Sequence, residues 1–305
     1  MPQQQPDRSV AFAVVDVFAD QPLAGNPVTV VRDADGLTEA TMQRIAREFN
    51  QSETTFVMRP TRSDADWRVR AFTPAGKEAC GGAGHHTLGT WWWMAECGAL
   101  AMDDAGGAFT QEDGDRLHAV RIAVESGRVS VVTMSQAAPT FGRVCDELSE
   151  LASALNLSPA DFAAGAMTAQ VVSTGVPHLL VPLRDRAAVD RARADVDRLA
   201  SLLRRVDGEG CYLYTLDTVA PEATAHARFF NPTLGIAEDA ATGTAAGPLA
   251  CLLVRHGRAR DDSTVLIEQG HSMGRPSVIR IDVSGPSIMI SARCVVSGTG
   301  NLRIR

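Results

Sequence analysis

Apolar and polar positions along this chain fall into a series of elements that occurs twice. "AFAVVDVFADQPLAGNPVTVV" (11–31) reads as a strand, a turn through Pro22 and Gly25-Asn26-Pro27, and a second strand carrying Val28, Val30 and Val31. In "LTEATMQRIAREFN", Thr38 predicts an N-cap, and Met42, Ile45, Ala46 and Phe49 fall at helical spacing up to an end near Asn50. "ETTFV" and the alternating "WRVRAF" predict two further strands. After a turn at Pro74, the glycine-rich "GGAGHH" leads into "TLGTWWWMAEC", which predicts a mostly buried helix.

The second half repeats this order. "AQVVSTGVPHLLVPL" gives strand, turn at Gly175-Val176-Pro177, and strand. "DVDRLASLLRRV" predicts an amphipathic helix with Val196, Leu199, Leu203 and Val206 on one face. "CYLYTL" and "AHARFF" follow as strands, and "NPTLGIAEDAATGTAAGPLACLL" echoes "TPAGKEACGGAGHHTLGTWWW". The duplicated β-β-α-β-β-loop-helix unit predicts an α+β fold of two pseudo-symmetric domains. Each would be a curved, mostly antiparallel sheet wrapped around a central apolar helix, a position compatible with three consecutive tryptophans. The first domain is expected over 1–130, joined by a C-terminal strand at about 288–305, and the second over 131–287. "MDDAGGAFTQEDGDR" (102–116) reads as a polar surface loop. "SPADF" starts a short helix with Ser158 as N-cap and Pro159 at its first position. "RDRAAVDRARADVDRLASLLRR" reads as a solvated helical region.

Composition narrows the function. The 305 residues have a net charge of −7, which argues against nucleic acid or an anionic membrane as partner. No apolar leader and no spanning segment is visible in the sequence. The six cysteines lack CxxC spacing, so the expectation is reduced thiols, a cytoplasmic location and no zinc.

Both glycine-rich turns open into helices. The first N–H groups of a helix have no internal partner, and the macrodipole adds partial positive charge there. Two such starts facing each other across a cleft predict a carboxylate or phosphate site. Nucleotide fingerprints are not met: Gly82-Ala83-Gly84 begins a GxG, but Thr87 occupies the sixth position. His85 and His86 are adjacent, so on a helix their side chains should diverge by about 100° and not share a metal.

Six segments, "VDVFADQPLAGNPVTVV", "FNQSETTFV", "FTPAGKEACGGAGHHTLGT", "VVSTGVPHLLVPL", "FFNPTLGIAEDAATGTAAGPLA" and "IEQGHSMGRPS", follow one another in order over nearly the whole chain. Together they resemble the phenazine-biosynthesis isomerase (PhzF-like) family of the diaminopimelate-epimerase-like superfamily. The resemblance implies an active site between two barrel domains, a homodimer, and no metal or organic cofactor. It also implies a proton and double-bond shift in a small cyclic carboxylate of a secondary-metabolite pathway. That substrate would be a phenazine-type dihydro-hydroxyanthranilate or an alkylproline-type precursor. Glu53 of the "SETTF" motif would be the acid/base, with His85 and Asp239 as catalytic partners. Ser52, the turn glycines Gly84 and Gly243, and Thr244 would bind the substrate, the glycines through backbone donors.

Physical reasoning supports these roles: a carbon-to-carbon proton shift needs a base that can return its proton, and a buried glutamate can do so near neutral pH. His86 stands where many relatives carry proline or alanine, and reads as a surface or supporting residue. The segment "KEACGG" is longer than in relatives and brings Cys80 toward the cleft as a substrate-binding candidate. A two-base epimerase using Cys80 is the competing reading, although residues 239–242 supply no second thiol. A catalytically idle binder of a small carboxylate is the other.

Overall fold

The computed structural model describes residues 8–79, 82–165 and 167–304. Its first half starts with an antiparallel hairpin of β1 (Arg8–Val17) and β2 (Asn26–Val31). Helix α1 (Glu39–Phe49) crosses over to β3 (Thr54–Met58), parallel to β2, and β4 (Trp67–Phe72) returns antiparallel. Helix α2 (His85–Glu96) crosses over to β5 (Gly106–Asp113), parallel to β4, which continues as a meander through β6 (Arg116–Glu125) and β7 (Arg128–Gln136).

The second half repeats the plan. After β8 (Thr140–Val144) and α3 (Leu148–Ala154) come β9 (Gln170–Ser173) and β10 (Pro177–Pro182), antiparallel to each other. Helices α4 (Arg186–Arg191) and α5 (Val196–Arg205) lead to β11 (Gly210–Thr215), parallel to β10, and then to β12 (Ala225–Asn231) and β13 (Ile236–Asp239). Helix α6 (Gly243–Arg255) crosses over to β14 (Ser263–Gln269), parallel to β12, followed by β15 (Ser277–Ser284) and β16 (Ser287–Ala292). Strand β16 pairs with β7, and β17 (Cys294–Ile304) runs back along β1, so one continuous curved sheet serves both halves. Even the register repeats. Two residues beyond Pro27, Thr29 pairs with Thr54; two beyond Pro177, Leu179 pairs with Cys211.

The two glycine-led helices are the apolar axes of this architecture. Every residue of α2 from His85 to Ala95 is buried, among strands β1, β2, β3 and β7. Its tryptophans fill the core, and their polar edges are satisfied: Trp91 Nε1 donates to Gln111 and Trp92 Nε1 to Glu96. Gly89 is required for the fit, since a Cβ there would lie 2.7 Å from Val17 and Val28 methyl carbons. Helix α6 packs in the corresponding place against β9, β10, β15 and β16, and one apolar cluster joins both helices. Helices α1 and α5 cover the outside, each over its own smaller cluster. Thr38 caps α1 as its sequence predicts, and Asn50 ends it in the left-handed conformation that asparagine tolerates.

Three expectations are corrected. Residues 102–116 are not simply a surface loop, because 106–113 form β5. The polar run there is buried through distant partners: Gln111 accepts from Trp91, and Glu112 accepts from the backbone and hydroxyl of Thr61. The basic region is two helices broken before Asp195, with Ala188 and Val189 of the first one buried. Val196 is 53% exposed, since it stands at the first turn of α5 beyond the edge of the layer, and Leu202 joins Leu199 and Leu203 inside. The "SPADF" segment forms the expected short helix, a single 3-10 turn with Ser158 as N-cap and Pro159 at its first position, closed by reciprocal bonds between Ser158 and Asp161. The described cysteines 97, 145, 211, 251 and 294 are unbridged, and no helix among the described residues is long and apolar enough to cross a membrane.

Candidate active site

The crossover connections bring the starts of α2 and α6 together. A Cβ on Gly243 would lie 3.5 Å from the Ala83 carbonyl, so the two starts are in near contact. Gln136, at the end of β7, ties them: its Nε2 donates to Gly243 O at 2.9 Å and to Ala83 O at 3.3 Å, and its Oε1 accepts from Thr174 at 2.7 Å. Beside this junction is a cavity of about 240 Å³, below the size that takes drug-like ligands and suited to a single small ring. Glu53, Gly84, His85, Asp239, Gly243 and Thr244 all line it. Cys80 lies outside the described residues.

Glu53 precedes β3, is buried and lines this cavity. Its Oε2 is 3.2 Å from His85 Nε2, yet neither atom has an aligned hydrogen bond. Burial, then the charges of Asp239 and Glu209, push its carboxyl up to about 8. Burial alone holds His85 at about 3, so this imidazole is neutral at physiological pH.

Asp239 is the centre of a clamp between the halves. Asn26 Nδ2 donates to its Oδ1 at 2.7 Å, Ser52 Oγ donates to the same oxygen at 3.0 Å, and Thr242 Oγ1 donates to Oδ2 at 2.6 Å. Asn26 also reaches Ala241 O, and Gln269 donates to the Asp239 carbonyl. Burial raises the Asp239 carboxyl, against the opposing effect of these donors. Thr244 Oγ1 lies 3.1 Å from Nε2 of His178, a buried ring stacked edge-on against Phe229.

Two sequence expectations are altered. Gly84 does not offer its own N–H to a ligand, because that group donates to Gly82 O at 2.9 Å. The donors available at α2 are the first-turn N–H groups that follow it. His86 is not a surface residue: it is buried and lines the cavity beside His85. Gly84 makes room for it, since a Cβ there would meet the His86 ring at 2.8 Å. Instead of diverging, one donor atom each from Glu53, His85 and His86 comes within 4.8 Å of the others. The three side chains offer one carboxylate oxygen and two ring nitrogens, a donor set that could hold a metal ion.

Sequence reasoning missed Asn26, Gln136, His178, Glu209 and Gln269. Asn26 sits in a turn that the sequence marks, but its partner lies 213 positions away. A larger cavity of about 490 Å³, lined by Phe18, Leu266, Glu268 and Arg280, lies elsewhere. Its buried acid Glu268 is consumed by the N–H groups of Val219 and Ala220 and by His226, so the chemistry belongs to the smaller cavity.

Residues 15–304 match the family described as phenazine biosynthesis-like protein. The chain is 36% identical over 298 residues, 95% of each chain, to a trans-2,3-dihydro-3-hydroxyanthranilate isomerase from Pseudomonas chlororaphis. It is 30% identical over 274 residues, 88% of each chain, to an uncharacterised isomerase from Clostridium acetobutylicum. A crystal structure of a Bacillus anthracis phenazine biosynthesis protein of the PhzF family superposes with a TM-score of 0.87 at 28% identity, covering 97% of this chain and 100% of that one.

Proposed function

The chain belongs to the phenazine biosynthesis-like family and is an isomerase, and from that premise we propose that it moves a proton and a double bond within a small cyclic carboxylate, with Glu53 as the shuttle. The observation that carries this reading is Glu53 itself. It is a buried carboxyl held at about 8, facing the cavity next to a neutral histidine. A group with that pKa is present in both protonation states near neutral pH, as a reversible carbon acid/base requires.

The reaction needs one base and no redox partner. The Glu53 carboxylate takes a proton from an sp3 ring carbon, and the C–H electron pair spreads through the conjugated double bonds toward the substrate carboxylate. The protonated Glu53 then gives the proton to another carbon of the same system, so the double bonds shift and the composition is unchanged. The first-turn N–H groups of α2 and α6 hold the carboxylate and stabilise the charge that develops on it. His85 offers a neutral ring nitrogen to a polar substituent. Asp239 is held by Asn26, Ser52 and Thr242 in the lining of the cavity. These residues perform the shift without a cofactor.

The substrate acted on by the Pseudomonas relative, a dihydro-hydroxyanthranilate, is one candidate for the ring, and an alkylproline-type precursor is the other. The family resemblance further supports a homodimer in the cytoplasm. Incubation of the protein with trans-2,3-dihydro-3-hydroxyanthranilate and with pyrroline carboxylates in D₂O, followed by NMR, tests the reading. Double-bond migration in at least one is expected. Binding without migration or exchange would favour the idle binder, and turnover that depends on Cys80 instead of Glu53 would favour the epimerase.

A further inference from the structure

We propose that Glu209 is a specificity-determining residue that reads the cationic amino group of a ring amino acid held in the cavity. The inference rests on the carboxylate-site reading of the cavity and asks what Glu209, in the same lining, recognises.

The internal repeat shows what Glu209 replaces. Thr54 pairs with Thr29 on one side and Phe72 on the other, while Cys211 pairs with Leu179 and Phe230. Thr54 and Cys211 are therefore equivalent, and Ser52, two residues before Thr54, corresponds to Glu209, two before Cys211. Ser52 uses its hydroxyl to close the clamp on Asp239. At the same point of the other half the chain places a carboxylate. The turn residue that corresponds to Asn26 is Val176, which has no polar side chain to engage it. One half thus closes on an internal partner, and its repeat presents an acid to the cavity.

Glu209 is half-buried and lines the cavity with Glu53 and Asp239. Its one polar side-chain partner among the described residues is Asn231, whose Nδ2 donates to Oε1 at 3.4 Å. No cationic side chain is among the described residues lining this cavity, and Glu78 on its rim is already paired with Arg70. Burial raises the Glu209 carboxyl, so a positively charged ligand group would restore its ionised form. A ring held by its carboxylate at the helix starts would turn a neighbouring ammonium toward this acid.

Isothermal titration calorimetry on the full chain tests the assignment with three probes: cyclohexanecarboxylate, trans-2-hydroxycyclohexanecarboxylate and trans-2-aminocyclohexanecarboxylate. Wild type is expected to bind the amino acid at least about tenfold more tightly than the unsubstituted acid, as a charge-assisted bond warrants. Glu209→Gln and Glu209→Leu should both lose that margin through a weaker Kd for the amino acid, while cyclohexanecarboxylate binds at least as tightly as to wild type. A margin that survives in both variants overturns the assignment, as does a hydroxyl that matches the ammonium. Binding of cyclohexanecarboxylate with no ammonium preference overturns this inference alone. No binding of any probe overturns the carboxylate reading of the cavity and this inference with it.

Discussion

Glu53 Oε2 and His85 Nε2 stand 3.2 Å apart in the lining of the cavity, both buried and neither in an aligned hydrogen bond. The pair combines a carboxyl held at about 8 with an imidazole held at about 3, so only the carboxyl titrates near the working range. As a base, Glu53 must be ionised in the free enzyme. A pH profile of kcat/KM should therefore rise with a midpoint near 8 and show no further limb between 5 and 7. A profile that is flat from pH 6 to 9 would contradict the assignment.

Asp239 raises the Glu53 carboxyl through its negative charge. Replacing it by the neutral isostere, Asp239→Asn, should move the midpoint of that profile below 8 as well as lower kcat. Breaking the clamp from the other half, with Asn26→Leu, removes one of the two donors on Asp239 Oδ1, leaving Ser52, and takes the Asn26 donor from the Ala241 carbonyl. The expected destabilisation is about 1–3 kcal/mol, measured by denaturant unfolding.

Stability should depend on pH in two opposing ways. Glu53 has a pKa of 4.5 when unfolded and about 8 when folded, so the unfolded chain releases a proton that the folded chain keeps. Its contribution to stability falls as pH rises from 4.5 through 8. Glu53→Gln should have a higher Tm than wild type at pH 8 and a similar one at pH 4. His85, His86 and His178 are held at about 3 against 6.5 when unfolded, so their contribution is lost as pH falls below 6.5. Thermal melts from pH 4 to 9 read both limbs.

Gln136 fixes the two helix starts relative to each other, and Gly247 makes room for it: a Cβ at 247 would lie 1.8 Å from Gln136 Oε1. Gly247→Ala and Gln136→Ala should therefore share one phenotype. A shift of the starts by an ångström would cost on the order of 10²-fold in kcat/KM. Wild-type kcat/KM in a folded Gly247→Ala protein would show that the link does not position the site.

Much of this organisation is legible in the sequence because it is local or repeated. Thr38 and Asn50 delimit α1 by their own chemistry, and the repeated Gly-x-Pro turns mark the hairpins that open each half. The glycine-led apolar helices identify themselves as central because no polar face remains to meet solvent. What escapes is decided by partners far along the chain. Gln111 and Glu112 look like loop residues until Trp91 and Thr61 meet them. His86 looks dispensable until the glycine before His85 lets its ring fold back into the cavity. Gln136 lies at the end of an ordinary strand, and only the approach of α2 and α6 gives it two carbonyls to join.

The central claim is that Glu53 carries the proton from one ring carbon to another. It is tested most directly with a turned-over substrate deuterated at the carbon that loses its proton, followed by NMR in H₂O with wild type and Glu53→Gln. The account predicts that part of the deuterium reappears at the receiving carbon in wild type, and that Glu53→Gln gives no product while remaining folded. Full turnover by Glu53→Gln would contradict it.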